Sequence, residues 1–280
     1  MKKHWKTILF WAVVLALIAV FVYSGYCLIT YYADSLESKK AYDDLAQMLV
    51  DRPTIPLPQD TNSETIPDAT EPTQVMVTVR DPDTGETMQI LPEYAQLYAL
   101  NPDLVGWISI EETKIHYPVV QSEPENANYY LDRNFEQKHS AHGCIYVNET
   151  ADVFAPSDNV TMYGHRMGDN SMFGQLGLYT DQGFWQEHQY IRFDTLQERH
   201  LYQIICVFST TASMGQGFSY HSFVNAEEAV DFNTFVTRCK SLSYYDTGIT
   251  AEHGDKLITL STCEYTNTNG RLVVVAKRIS

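Results

Sequence analysis

From Thr7 to Ala33 the chain runs for 27 residues without one charged side chain, and Leu, Val, Ile, Ala and aromatic residues dominate the stretch. About 20 such residues in a helix span the hydrocarbon core of a bilayer, so this segment is expected to be a membrane anchor outside any water-soluble core. Lys2, Lys3 and Lys6 precede it, Trp5 lies at its near end, and Tyr31 and Tyr32 lie at its far end. Basic residues stay cytoplasmic and aromatic rings favour the membrane interfaces, which predicts a cytoplasmic N-terminus and an exported chain from Asp34 onward. A cleaved signal peptide is the alternative. The run exceeds the usual signal-peptide core and no clear small-x-small cleavage site follows it, which favours an uncleaved anchor.

Three of the 19 Lys and Arg residues and none of the 35 acidic residues precede Asp34, so the exported part holds 16 basic residues against 35 acidic ones. Such a balance argues against nucleic acid or an anionic membrane surface as a partner, because either needs a basic footprint. Ser35 to Val50 can form a short helix or a juxtamembrane stalk. Arg52 to Thr73 is rich in Pro, Thr, Asp, Glu and Asn, the composition of a spacer. Val75 to Val79 and Thr87 to Leu91 flank Asp81-Pro82-Asp83-Thr84-Gly85, a candidate small hairpin. Pro92 then opens a helix that ends at Asn101-Pro102. The organisation expected is an anchor over 1–33, an extracellular stalk or linker over 34–91, and a folded domain over 92–280.

Eight short strands are predicted in that domain: 105–110, 115–120, 143–147, 160–165, 190–194, 200–210, 256–263 and 271–278. This spacing points to a mostly β closed barrel or sandwich with peripheral helices, and away from a βαβ sheet. One helix interrupts the strands, with Asn225-Ala226-Glu227-Glu228 as a capping box and Ala229, Phe232, Val236 and Cys239 as its apolar stripe.

The last two strands carry the most specific chemistry. Leu257 to Leu260 and Leu272 to Ala276 are rich in branched residues, and Glu264 to Gly270 between them is rich in turn formers. In a direct hairpin Cys263 closes one strand, Arg271 opens the other, and both project from the same side of the sheet. A sulfur nucleophile would then stand beside a cation able to stabilise an oxyanion. Of the other exported cysteines, Cys144 and Cys206 lie inside apolar runs as small buried hydrophobes. His188, His200, His221 and His253 fall in polar connections where a solvated imidazole is the default. His139 and His142 near Cys144 have no complementary cluster, so neither a metal site nor a cofactor is expected. His165 stands apart: it ends a strand behind Gly164, which permits close backbone approach.

Tyr163-Gly164-His165-Arg166-Met167 with Ser171-Met172-Phe173, then Thr259-Leu260-Ser261-Thr262-Cys263 and Gly270-Arg271-Leu272-Val273-Val274, resemble the active-site motifs of sortases, class B in particular. Val105 to Ile108, Ile115 to Gln121 and Asn128 to Leu131 extend the resemblance, which covers about Glu93 to Ile279. It implies an eight-stranded sortase barrel and a membrane-anchored cysteine transpeptidase. By matching position Cys263 would be the nucleophile, His165 the proton donor and acceptor, and Arg271 the oxyanion ligand. Ser261, Thr262 and Glu264 would contact the substrate peptide. The partners implied are secreted proteins with a C-terminal sorting signal and an amine from a peptidoglycan precursor or a pilin. The resemblance also implies a class B helix over Ala226 to Leu242. The alternative is a non-catalytic surface adhesin or scaffold of the same fold, with Cys263 in a disulfide to Cys239 or Cys206.

Overall fold

The computed structural model describes residues 2–49, 53, 55–58, 75–82, 84–213, 215–264 and 269–280, with the side chains of residues 2–4, 6, 7 and 264 outside the description. Most of the expected Arg52 to Thr73 spacer therefore lies outside the described residues. The chain divides into two compact units, one ending at Ala41 and the other spanning Tyr42–Ser280.

The first unit is helical. Helix α1, Lys2–Gln47, contains among the described residues the one segment long and apolar enough to cross a membrane, and its most apolar window has a mean hydropathy of 2.5 with none of it buried. The helix does not stop where the apolar run ends. Tyr42, Leu45 and Leu49 are buried in the core of the second unit, so that unit begins well before Pro92, the start expected from sequence. The apolar periodicity from Ser35 to Val50 is weak because few apolar positions are buried, Tyr42, Leu45 and Leu49.

Strands β1 (Val77–Arg80) and β2 (Thr87–Ile90) form the expected small hairpin. A 3-10 turn at Pro92–Tyr94 leads into α2 (Ala95–Leu100). The barrel follows with β3 (Leu104–Ser109), β4 (His116–Val120), β5 (Ile145–Val147), β6 (Asn159–Tyr163), helix α3 (Gln182–Glu187), β7 (Tyr190–Thr195), β8 (Leu201–Thr211), helix α4 (Ala229–Leu242), β9 (Leu257–Glu264) and β10 (Gly270–Arg278). These eight strands close in the order β10-β8-β7-β3-β4-β5-β6-β9, so the sheet has no free edge. Two pairings, β4 with β5 and β6 with β9, are parallel. Hence β9 reaches its place beside β6 only after the chain has crossed through β7, β8 and α4.

Alternation along the strands sorts side chains to two faces. Met162, Val207, Leu260, Leu272 and Val274 fill one core cluster, the barrel interior. Cys206, Phe208, Val273 and Val275 belong to a second cluster on the outer face, covered by Phe232, Phe235, Val236 and Cys239 of α4. The capping residues differ from the expected ones. Helix α4 starts at Ala229 with Glu228 as N-cap, whose amide donates to the Asp231 carboxylate at 3.0 Å. Asn225 instead accepts from the Asp158 amide at 3.0 Å, tying the loop to the barrel.

Candidate active site

The β9–β10 register is the hairpin expected from sequence: Cys263 lies directly opposite Arg271, and Arg271 in turn opposite Thr210 of β8. One row back along the same outer face, Tyr146, Tyr163, Ser261, Val273 and Phe208 are successive cross-strand neighbours. Cys263 and Arg271 are half-buried, at the rim of this face.

His165 reaches the rim by a different strand. Beyond β6 the chain stays against β9, because the Gly164 amide donates to the Ser261 carbonyl at 3.2 Å and Thr262 Oγ1 donates to the Gly164 carbonyl at 2.8 Å. The parallel register sets Tyr163 beside Ser261, and the two bonds of Gly164 keep the chain against β9 one residue before His165. Position 164 admits only glycine at this distance, since a Cβ there would lie 2.5 Å from Ile145 Cδ1 and 2.7 Å from the Phe173 ring. The pairing sets Cys263 and Arg271 on neighbouring strands, and His165 follows two residues beyond β6, the strand on the other side of β9.

Among the described residues the imidazole bonds the Leu131 carbonyl, 2.6 Å from Nε2. A carbonyl only accepts, so Nε2 carries a proton and donates, and Nδ1 is left as the nitrogen that gains and loses a proton. Arg271 turns one nitrogen back to its own strand: Nη1 donates to the Gly270 carbonyl at 3.0 Å and the Asn269 carbonyl at 3.4 Å. A planar guanidinium suits recognition of a carbonyl oxygen.

Three tyrosines surround the pair. Burial pushes the Tyr146 and Tyr220 hydroxyls up to about 12 and raises that of Tyr163, with the Arg271 charge acting against burial at all three. All three are therefore neutral at physiological pH, so no phenolate competes for the guanidinium. Tyr146 and Tyr163 lie with ring centroids 5.3 Å apart, and Asn148 Nδ2 donates to Tyr163 Oη at 3.3 Å. Tyr220 comes from the connection before α4 and bonds Ser261 Oγ at 2.5 Å.

Ser261 and Thr262, expected from the resemblance to contact a peptide, are both buried and bonded within the protein, Ser261 to Tyr220 and Thr262 to Gly164. The Glu264 side chain lies outside the described residues. Tyr146, Tyr220 and the Leu131 carbonyl were not singled out from sequence. Tyr146 could have been found from its strand, the apolar run 145–147; Tyr220 and Leu131 come from irregular segments without a pattern.

The disulfide alternative fails on packing. All five cysteines are free thiols. Cys206 beneath α4 and Cys239 on its inner face are fully buried and in hydrogen-bonding contact with each other, which separates both from the half-open Cys263. Cys144 is enclosed as well, and burial pushes its thiol up to about 12.

A profile of the sortase domain matches residues 108–279. Sortase B of Staphylococcus aureus is 32% identical over 192 residues, covering 68% of this chain and 76% of that protein. Sortase B of Listeria monocytogenes is 30% identical over 199 residues, covering 70% and 78%. Among solved structures, a sortase B of Bacillus anthracis in complex with AAEK1 superposes with a TM-score of 0.65 at 27% identity, over 88% of this chain and 98% of that one. A Staphylococcus aureus sortase B–substrate complex gives a TM-score of 0.62 at 32% identity, over 68% and 85%.

Proposed function

Since this chain belongs to the sortase family, as one of its class B cysteine transpeptidases, we propose that Cys263, His165 and Arg271 carry its reaction on the sorting signals of secreted proteins. The observation that carries the assignment is the cross-strand pairing of Cys263 with Arg271, with His165 two residues beyond the strand that runs parallel to β9. The Cys263 sulfur attacks the carbonyl carbon of a Thr–Gly-like bond, and the developing oxyanion is held by Arg271. As the C–N bond breaks, His165 gives its proton to the departing amine, leaving a thioester on Cys263. An incoming amine, from a peptidoglycan precursor or a pilin, attacks that thioester, loses its proton to His165 and releases the Cys263 thiolate.

The apolar helix α1 holds the enzyme at the membrane with its catalytic unit outside the cell, where secreted substrates emerge. Ser261 and Thr262 shape the site from below through Tyr220 and Gly164, and Glu264 contacts the sorting peptide. The test is mass spectrometry of the full chain incubated with peptides carrying Thr-Gly and Thr-Asn bonds. A thioacyl adduct on Cys263 that an added amine discharges is the expected result; an adduct that persists in Cys263→Ala would sink the assignment.

A further inference from the structure

The end of α1 enters the catalytic unit at a point that bears on His165. Tyr42 is buried, and its Oη donates to the Gly143 carbonyl at 2.6 Å. Gly143 is pressed onto the segment that holds the imidazole: its φ is +59°, and a Cβ there would lie 2.6 Å from the Leu131 carbonyl oxygen and 2.7 Å from that of Tyr130. The next amide, Cys144 N, donates to the Tyr130 carbonyl at 3.0 Å. The Leu131 carbonyl is the acceptor for His165 Nε2.

A second route leaves the same ring. Tyr42 packs edge-on against Tyr117, with centroids 5.2 Å apart, and Tyr117 Oη accepts from the Met172 amide at 3.0 Å. Met172 has a φ of 53°, in the left-handed region that a side chain rarely adopts, and Tyr117 satisfies its amide there. The following residue, Phe173, donates its amide to the His165 carbonyl at 2.9 Å.

We propose that Tyr42 is a positioning residue for His165, holding through Gly143 the carbonyl that orients the imidazole and through Tyr117 the turn that fixes the histidine backbone. The residue itself touches no reacting atom. Its role rests on the reading of His165 as the proton-transfer group, and it makes the last turns of α1 part of the catalytic apparatus. A hydrogen bond lost at one remove from the imidazole lets the ring sample orientations unsuited to proton transfer while the peptide-binding face is unchanged. The expected signature is therefore in kcat and not in KM.

The experiment uses the full chain in detergent micelles with histidine labelled in the ring nitrogens, and the variant Tyr42→Phe, which removes only the hydroxyl. Thioacyl formation should slow about fivefold at unchanged KM, the value of roughly one net hydrogen bond. The His165 Nε2–H resonance, assigned with His165→Gln, should broaden. Phe232→Ala serves as a destabilising control that lowers Tm without moving that resonance. Wild-type kcat and an unmoved His165 resonance in Tyr42→Phe would overturn the proposal, as would a lower Tm with the resonance unmoved. Should His165→Gln keep full activity, the catalytic reading fails, while the resonance still reports whether Tyr42 holds the ring.

Discussion

Cys263 and Cys206 lie on the same outer face of one sheet, separated by the single strand β10, yet they occupy opposite chemical environments. Cys206 pairs across from Val275 and is roofed by Phe232, Phe235, Val236 and Cys239 of α4. Desolvation by burial, followed by the adjoining Cys206 thiol, raises the Cys239 thiol far above its usual range, and both sulfurs are closed off from solvent. Toward the rim the apolar roof gives way to Tyr146, Tyr163 and Tyr220, and Cys263 is left half-open beside Arg271. Reactivity is therefore assigned by what covers the sheet and not by the strand that bears the thiol.

The comparison is broken most severely by removing the rim thiol. Cys263→Ala should abolish thioacyl formation, a loss of at least about 10³-fold, as expected when a covalent nucleophile is deleted. Cys206→Ala should leave an adduct on Cys263, and mass spectrometry of both variants with one peptide distinguishes them. Arg271→Lys keeps the charge but loses the planar fork, so activity should fall by about 10- to 100-fold with Tm unchanged. Wild-type turnover in that variant would remove the guanidinium from the mechanism.

Next comes the roof. Phe232 is fully buried, and Phe232→Ala should cost about 3–5 kcal/mol of stability by denaturant titration. It should also expose Cys206 and Cys239 to a thiol reagent that in the native protein labels Cys263 first. Equal labelling rates at all three sites in the native protein would erase the contrast between rim and interior.

The smallest effect concerns His200, which lies outside the catalytic rim. Burial lowers its pKa from the usual 6.5, with Arg278 adding to the effect. Between the unfolded value and the lower folded one the unfolded chain binds the extra proton, so stability is full above about pH 6.5 and falls as the pH drops through this window. His200→Gln should flatten that decline in a series of urea titrations. Sequence placed His200 in a polar connection with a solvated ring; the C-terminal strand covers it, with Ile279 and Ser280 both bonded back to Leu201.

Much of the site was legible because its chemistry is local. The turn-rich spacer between two branched runs fixes the Cys263–Arg271 register within a hairpin, and Gly164 marks where the backbone must close on its neighbours. What escaped has long-range causes. Tyr220 meets Ser261 only when the connection before α4 folds across the sheet, and Leu131 meets His165 from a segment 34 residues away. The start of α4 was misplaced by three residues because Asn225, a good cap in isolation, is taken by the Asp158 amide. The start of the folded unit was misplaced because Tyr42, Leu45 and Leu49 have no helical stripe long enough to announce a buried face.

By itself the sequence determined the apolar helix, the eight strands, the pairing of Cys263 with Arg271 and the family resemblance, since each depends on residues near one another in the chain or on short motifs. Only the tertiary structure decided that β6 and β9 run parallel, which places the end of β6, two residues before His165, beside the strand that bears Cys263. It alone decided which cysteines are roofed and that the end of α1 is built into the catalytic unit. These depend on which distant segments share a surface, and a side chain's solvation and orientation are properties of that shared surface.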